Sequence, residues 1–534
     1  MSKKKYRQDK EDQHENRKYS LQQKVIWKFT DTQLIGLTSI TAIGYFLYSL
    51  VPQGFYQHDE VSHFLNMLEF WNNPNSILGN WAKPGYKLFF VIPALLGIHF
   101  VTALNCFISA ATSALAYKIA EKLGSRIPIA AFFLLASQPV WVQLCFRNYS
   151  EPISALLLTG SILLCLNQRF EYAALLVSYG VTIRQEFLIL GVGLALYLIY
   201  QKRWWTILIL TIFPLANNIW GWIFTGDPLY LYNSTIQTGQ QYQNAWPKQG
   251  FEHYFLMSPV FWGMAIVVLI VVYFSSPLVR NRQHWFVLLP LVVYFLIHCL
   301  FNLQSLKIGA STGGNLRYMA VISPLVAIIS TLGFENFLIQ KDRKKVIFIM
   351  IVLLIAVGIW TTYPDNNVRY LENTRDWTHL VAGIIITASL LVFKSNKTLG
   401  GFLVITSTIL LITTSRPLVL SPEDIAMERM VQWSKSNGVE NQSILANHSL
   451  FFYYYGKSQY QFTKGASSID SNTVAKASPQ TLILWDSHYS YRPELNPKSV
   501  PIEYFTSRPE DFESIAQFIS TDQRFGIVVF QKIR

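Results

Sequence analysis

The chain has 534 residues, of which 51% are hydrophobic and 14% charged, and 44 Lys and Arg stand against 31 Asp and Glu for a net charge of +13. Soluble proteins average about 25% charged residues, so this composition excludes a disordered chain, a fibrous repeat and a disulfide scaffold, and it argues against a water-soluble enzyme, which could not hide so much apolar side chain. The positive surplus could suit nucleic acid, but its placement along the chain points to a membrane and not to nucleic acid.

The first residues hold Lys3, Lys4, Lys5, Arg7, Lys10, Arg17, Lys18, Lys24 and Lys28 with no apolar run or small-residue cleavage site among them. That is not a signal peptide; residues 1–30 read as a basic cytoplasmic tail. Apolar runs able to cross about 30 Å of hydrocarbon then follow at 33–52, 99–120, 127–146, 152–168, 170–183, 186–201, 205–224, 257–275, 285–303, 319–338, 346–363, 377–394 and 400–418, about thirteen spans. Lys and Arg collect in alternate loops: Lys118/Lys122/Arg126, Arg169, Lys202/Arg203, Arg280/Arg282, Lys341/Arg343/Lys344/Lys345 and Lys394/Lys397. The positive-inside rule makes those loops cytoplasmic and places the intervening loops, and everything after 418, on the external side. Cys106, Cys145, Cys165 and Cys299 sit in apolar runs without paired spacing and read as small buried hydrophobes.

The first external loop spans 53–98. Its segment Glu60–Trp71 has apolar residues at 61, 64, 65, 68 and 71, one face of an interfacial helix, and Tyr86–Leu96 reads as a second membrane-skimming piece. The loop 225–256 is rich in Tyr and Trp, as an interfacial belt is. Residues 419–534 change character: Ser421-Pro422-Glu423-Asp424 is a helix start, Gly438 a stop, β-rich runs lie at 443–446, 481–485 and 525–530, and Pro509-Glu510-Asp511 suggests a helix to Ile519. This predicts a small soluble α/β domain outside the membrane. The transmembrane domain occupies 31–418. Asp486-Ser487-His488 lacks a nucleophile elbow and reads as a polar turn.

Charged groups beside hydrocarbon are functional candidates because they are costly there. Four groups fall on the external side: Gln57-His58-Asp59-Glu60, Glu151 in Arg147-Asn-Tyr-Ser-Glu-Pro152, Arg184-Gln185-Glu186, and Gly313-Gly-Asn-Leu-Arg317-Tyr318. Each has a plain structural explanation: acids at a helix N-terminus, an internal ion pair, or a snorkelling Arg. Their arrival on one face from four distant loops favours chemistry. An acid can activate a hydroxyl, and an Arg can steady charge on a leaving phosphate. His58, Asp59 and Glu151 could also supply ligands to a divalent ion, although no cofactor is required by the pattern.

The order of these motifs resembles the GT-C superfamily of polytopic glycosyltransferases, which take sugars from polyprenyl phosphates and include dolichyl-phosphate-mannose-dependent mannosyltransferases and bacterial aminoarabinose transferases. The matching features are a cytoplasmic start, one span, a long external loop with His58-Asp59-Glu60, a second acid at Glu151, and Lys83-Pro84-Gly85-Tyr86, similar to the family's Lys-Pro element. The resemblance implies inverting transfer on the external, periplasmic or lumenal face to a lipid, glycan or protein acceptor. It implies Asp59, Glu60 and Glu151 as catalytic acids, with His58, Lys83, Arg184, Glu186, Arg317 and Tyr318 binding substrate. Two rivals are a glycan ligase using a diphosphate lipid and a secondary transporter or flippase. The second would need charges near the midplane and two related halves, which the sequence does not have.

Overall fold

The computed structural model describes residues 28–339 and 417–534, apart from 80, 244–245, 275–280, 304–312 and 463, together with positions 348, 351, 352 and 385. Apart from those four positions and residues 417–418, the expected spans 346–363, 377–394 and 400–418 lie outside the described residues, as do most of the basic tail and Arg280, Lys341, Arg343, Lys344, Lys345, Lys394 and Lys397.

Among the described residues, four helical stretches are long and apolar enough to cross a membrane: Ile98–Lys122, Trp204–Thr225, Arg282–Phe301 and Leu316–Asn336. Shorter apolar helices accompany them, among them Glu151–Leu166, Phe170–Val181 and Glu186–Tyr200. Leu316–Asn336 is the central one, with Leu325, Val326, Ala327, Ile328 and Ile329 wholly buried. By contrast, Trp204–Thr225 turns Trp205, Leu208, Ile212, Leu215, Trp222 and Ile223 outward. A contiguous apolar surface of that kind is not left facing water, whereas hydrocarbon accepts it. The chain is a multi-pass membrane protein.

Several expected continuous spans are broken. Residues 127–146 form two helices, Ile129–Ala136 and Pro139–Leu144, because Pro139 forces Gln138 into an extended conformation at ψ 133°. Residues 257–275 divide at Gly263, which has φ +93°. In 205–224 the break lies at Leu210-Thr211, since Pro214 has no amide hydrogen for the Leu210 carbonyl. The neighbouring Phe213 amide donates instead to Ser178 Oγ at 3.1 Å.

The long first loop contains helices Asp59–Glu69 and Pro84–Leu95. The apolar face expected on the first does not lie open at an interface. Phe64, Met67 and Leu68 pack into the transmembrane core, while Val61 joins Ala426, Met427, Met430 and Ile527 of the C-terminal region. Burying each such side chain contributes about 1.5–3 kcal/mol, so this helix is clamped from two sides. Gly54 permits the clamp: its amide donates to Leu418 O at 3.0 Å, and a Cβ there would strike the Val419 carbonyl.

In the C-terminal region, helix Pro422–Ser436 begins with the expected capping box, Ser421 and Asp424 exchanging hydrogen bonds of 3.1 and 2.9 Å. Five strands follow: β1 (Ile444–Ala446), β2 (Ala466–Ser467), β3 (Leu482–Asp486), β4 (Phe512–Ile519) and β5 (Gly526–Lys532). Their order is β2-β1-β3-β5-β4, parallel across β2, β1 and β3 and antiparallel across β3, β5 and β4. The helix expected from Pro509 to Ile519 is therefore wrong. Beyond a register shift at Ser514/Ala516 the stretch alternates, Ala516 and Phe518 turned inward and Gln517 and Ile519 outward, and pairing with β5 overrides the local helix signal.

Candidate active site

Three of the candidate acids stand at helix starts. Asp59, Glu151 and Glu186 each occupy the first helical position, where a carboxylate complements the free amides and the dipole. Packing brings these three starts together with Arg184 and Arg317. Arg317 donates to Gln57 Oε1 at 2.6 Å and to Asp59 Oδ2 at 3.0 Å, and its Nε lies 3.6 Å from Glu151 Oε1. Arg184 donates to the same Glu151 oxygen and to Glu186 Oε1, both at 2.9 Å. His298 Nε2 lies 3.2 Å from Glu186. The result is one chain of alternating charge from Asp59 to His298. Glu151 is fully buried, whereas one third of the Asp59 side chain is exposed, which makes it the accessible end of the network.

Aromatic faces hold the two guanidinium groups. Tyr149 lies 4.6 Å from Arg317, and Tyr318 lies 4.7 Å from Arg184. Tyr318, grouped with the substrate-binding residues by sequence, thus stacks on an Arg. The loop ahead of Arg317 turns at Gly313 and Gly314, both with positive φ. His253 Nε2 meets the Gly314 carbonyl at 2.8 Å, and Tyr254 donates to Asn315 O at 3.2 Å. Tyr254 is buried here, away from any interfacial belt.

Lys83 enters from the Lys-Pro-Gly-Tyr element. It caps helix Pro84–Leu95 in a left-handed conformation and donates to Ser150 Oγ at 2.9 Å, beside Glu151. Gly85 makes this placement sterically feasible, because a Cβ there would run into the Thr182 side chain. Burial pulls the Lys83 ammonium down to about 8, against the opposing charge of Glu151. Lys87, one turn further along, was not singled out from the sequence. It is wholly buried 5.0 Å over the Trp81 ring, and its Nζ has no hydrogen-bond partner among the described residues. Burial, reinforced by the nearby Lys83, holds its pKa well below the ordinary lysine value, so the charged form is costly there without an anion.

The structure separates two residues that the sequence grouped with Asp59. Glu60 turns away: its carboxylate accepts from Arg147 at 2.8 Å and from the Tyr56 amide at 2.7 Å, in a buried pair. Arg147, adjacent to Asn148 in a quoted motif, was overlooked as its partner; a charge beside an apolar run was the available signal. His58 also leaves the acids. Its Nε2 lies 3.2 Å from Asp424 Oδ1 and its Nδ1 3.2 Å from the Tyr489 hydroxyl. The grouping His58, Asp59 and Glu151 considered for a metal does not form. Among the described residues the donor atoms that gather are those of His58, Glu423, His448 and His488, all within 4.8 Å of one another. The Asp486-Ser487-His488 turn, read as merely polar, delivers one of them. Burial pushes the Glu423 carboxyl up, but hydrogen bonds with His448 and His488 outweigh it and hold the carboxyl far below its usual range.

Residues 83–302 match glycosyltransferase family 87. No curated protein matches the chain. Among solved structures, the chain is similar to ArnT from Cupriavidus metallidurans bound to undecaprenyl phosphate, with TM-score 0.61 and 10% identity over 94% of this chain and 98% of that one. It is also similar to the apo state of the same protein, with TM-score 0.59 and 10% identity over 93% and 98% of the two chains. At that identity the likeness is one of fold.

Proposed function

We propose that this chain, a membrane glycosyltransferase with a family 87 segment and an ArnT-like fold, transfers a sugar from a polyprenyl-phosphate donor to a lipid, glycan or protein hydroxyl with inversion at the sugar carbon. The observation that carries the proposal is the partly exposed Asp59 carboxylate held 3.0 Å from Arg317, with Lys83 and Lys87, which has no hydrogen-bond partner among the described residues, further along the same loop. Asp59 accepts the proton of the attacking hydroxyl. Arg317 and the two lysines receive the departing lipid phosphate, and a guanidinium can grip two of its oxygens at once. Glu151, Glu186 and Arg184 hold Arg317 in place. The bound lipid of the solved ArnT structure supports the donor class by analogy.

Sidedness supports the external assignment. Glu151–Leu166 and Glu186–Tyr200 begin at the site and end near Arg169 and Arg203. At that far end Arg203 pairs with Glu171 at 3.0 Å. The site thus lies at the opposite helix ends from Arg169 and Arg203, whose loops the positive-inside rule makes cytoplasmic, and the C-terminal region covers the external loop.

The test is transfer by purified protein in lipid vesicles, offered labelled polyprenyl-phosphate sugars and a crude extract of acceptors. Label should move from at least one monophosphate donor; folded protein that uses only diphosphate lipids would overturn the donor class. The Lys83 role adds a pH signature. A phosphodiester donor keeps its charge above neutrality, so loss of rate there belongs to the enzyme. Lys83 is charged below about 8 and neutral above, so kcat/KM, which reports the free enzyme, should fall about tenfold per pH unit on the alkaline side. Lys83→Arg should carry the plateau to higher pH. An alkaline limb unmoved by that substitution would remove Lys83 from donor binding.

A further inference from the structure

The His58, Glu423, His448 and His488 group lies outside the transfer machinery and has the composition of a metal site. The four side chains come from four separate parts of the chain: the residue before Asp59, the first turn of helix Pro422–Ser436, the loop following β1 and the loop following β3. Glu423 Oε1 lies 2.9 Å from His448 Nε2, 2.6 Å from His488 Nδ1 and 3.8 Å from His58 Nδ1. Three imidazoles therefore already aim nitrogen atoms at one carboxylate oxygen. In metal-free protein this is a hydrogen-bonded knot. A small inward adjustment of the same atoms makes a tetrahedron of three nitrogens and one oxygen.

We propose that these four residues bind one zinc ion, which pins the C-terminal region to the helix start that carries Asp59. The donor set suits zinc: imidazole and carboxylate are its usual hard-to-borderline ligands, and four protein ligands close the coordination shell as in a structural site. The surroundings fit as well. With Nδ1 of His58 on the metal, Nε2 keeps its 3.2 Å contact with Asp424, the carboxylate–histidine–metal relay that fixes ring orientation. Tyr489 stacks on His488 with centroids 4.1 Å apart and meets His448 edge-on at 4.8 Å, so neither ring can swing freely. Binding moves the His448 proton to Nδ1 and gives up that atom's 3.3 Å contact with the Leu450 amide, while His58 gives up the Tyr489 hydroxyl. The His488 proton likewise moves from Nδ1 to Nε2, and the bonds of His448 and His488 to Glu423 are replaced, so four hydrogen bonds are lost and four metal bonds are made. Only His488 is substantially exposed, which leaves a path of entry.

The experiment uses full-length protein with a tag free of histidine, equilibrated with zinc, desalted and assayed for metal by mass spectrometry, with no dependence on sugar transfer. About one zinc per chain is expected. Cobalt in its place should give tetrahedral d–d absorption. His488→Asn, at the exposed ligand, should bind zinc more than about tenfold more weakly, since even an outer-shell change costs that much. Chelation should lower the melting temperature of the wild type and leave that of His488→Asn unmoved. Monodisperse wild type that retains no zinc would overturn the proposal. So would zinc content, or cobalt absorption, equal in His488→Asn and wild type.

Discussion

Asp59→Asn is expected to cut sugar transfer by about 10²–10⁴-fold, the usual contribution of a general base, while the protein still inserts and folds. The amide keeps an oxygen for the Arg317 hydrogen bond of 3.0 Å, so local geometry survives and only basicity and charge are lost. Labelled transfer in vesicles, read beside the melting temperature, tests both halves of the statement. A variant retaining activity within about tenfold of wild type would return the base assignment to another group. Glu60→Gln separates the adjacent acids. Glu60 is buried against Arg147 at 2.8 Å, so its loss should appear first as lower stability, with the chemistry of the surviving folded fraction little changed. The reverse pattern would exchange the roles of the two carboxylates.

Arg184→Ala is expected to destabilise the fold by about 3–5 kcal/mol, because removing one member of a buried ion pair strands the other. Here one guanidinium serves two carboxylates at 2.9 Å each, and Glu151 is fully buried. Arg317 at 3.6 Å from Glu151 and His298 at 3.2 Å from Glu186 offset part of the loss. Thermal or denaturant unfolding in detergent measures the effect. Adding Glu151→Gln to Arg184→Ala should recover part of the stability, since the stranded charge is then gone. A single variant as stable as wild type, or a double variant no better than the single, would show that the pair carries little of the fold's stability.

The two predictions draw on different kinds of information. Asp59, Glu151 and Glu186 were visible in sequence because Asp59 closely follows an apolar run and opens an amphipathic one while Glu151 and Glu186 stand at the start of apolar runs, and an acid at a helix start is a local signal. The choice between Asp59 and Glu60 was not visible. Consecutive residues at the start of a helix point in directions about 100° apart, and only the packing of Arg147 against one and Arg317 against the other decides which carboxylate stays accessible. His58 illustrates the same limit. Its neighbours in sequence are acids, yet its contacts are Asp424 and Tyr489, 366 and 431 positions away.

The sequence by itself determined the membrane class, the acid- and Arg-bearing loops, the capping box at Ser421 and three of the five strands. All of these depend on hydropathy or on contacts within a few residues, which the order of amino acids records directly. The tertiary structure alone decided the breaks near Gln138 and Gly263 within apparently continuous spans, the conversion of 512–519 from expected helix to β4, and the pairing of Arg147 with Glu60 and of Arg317 with Asp59. Those outcomes depend on which surfaces meet. An edge strand takes its conformation from β5, and a buried guanidinium takes its position from whichever carboxylates packing brings within about 4 Å.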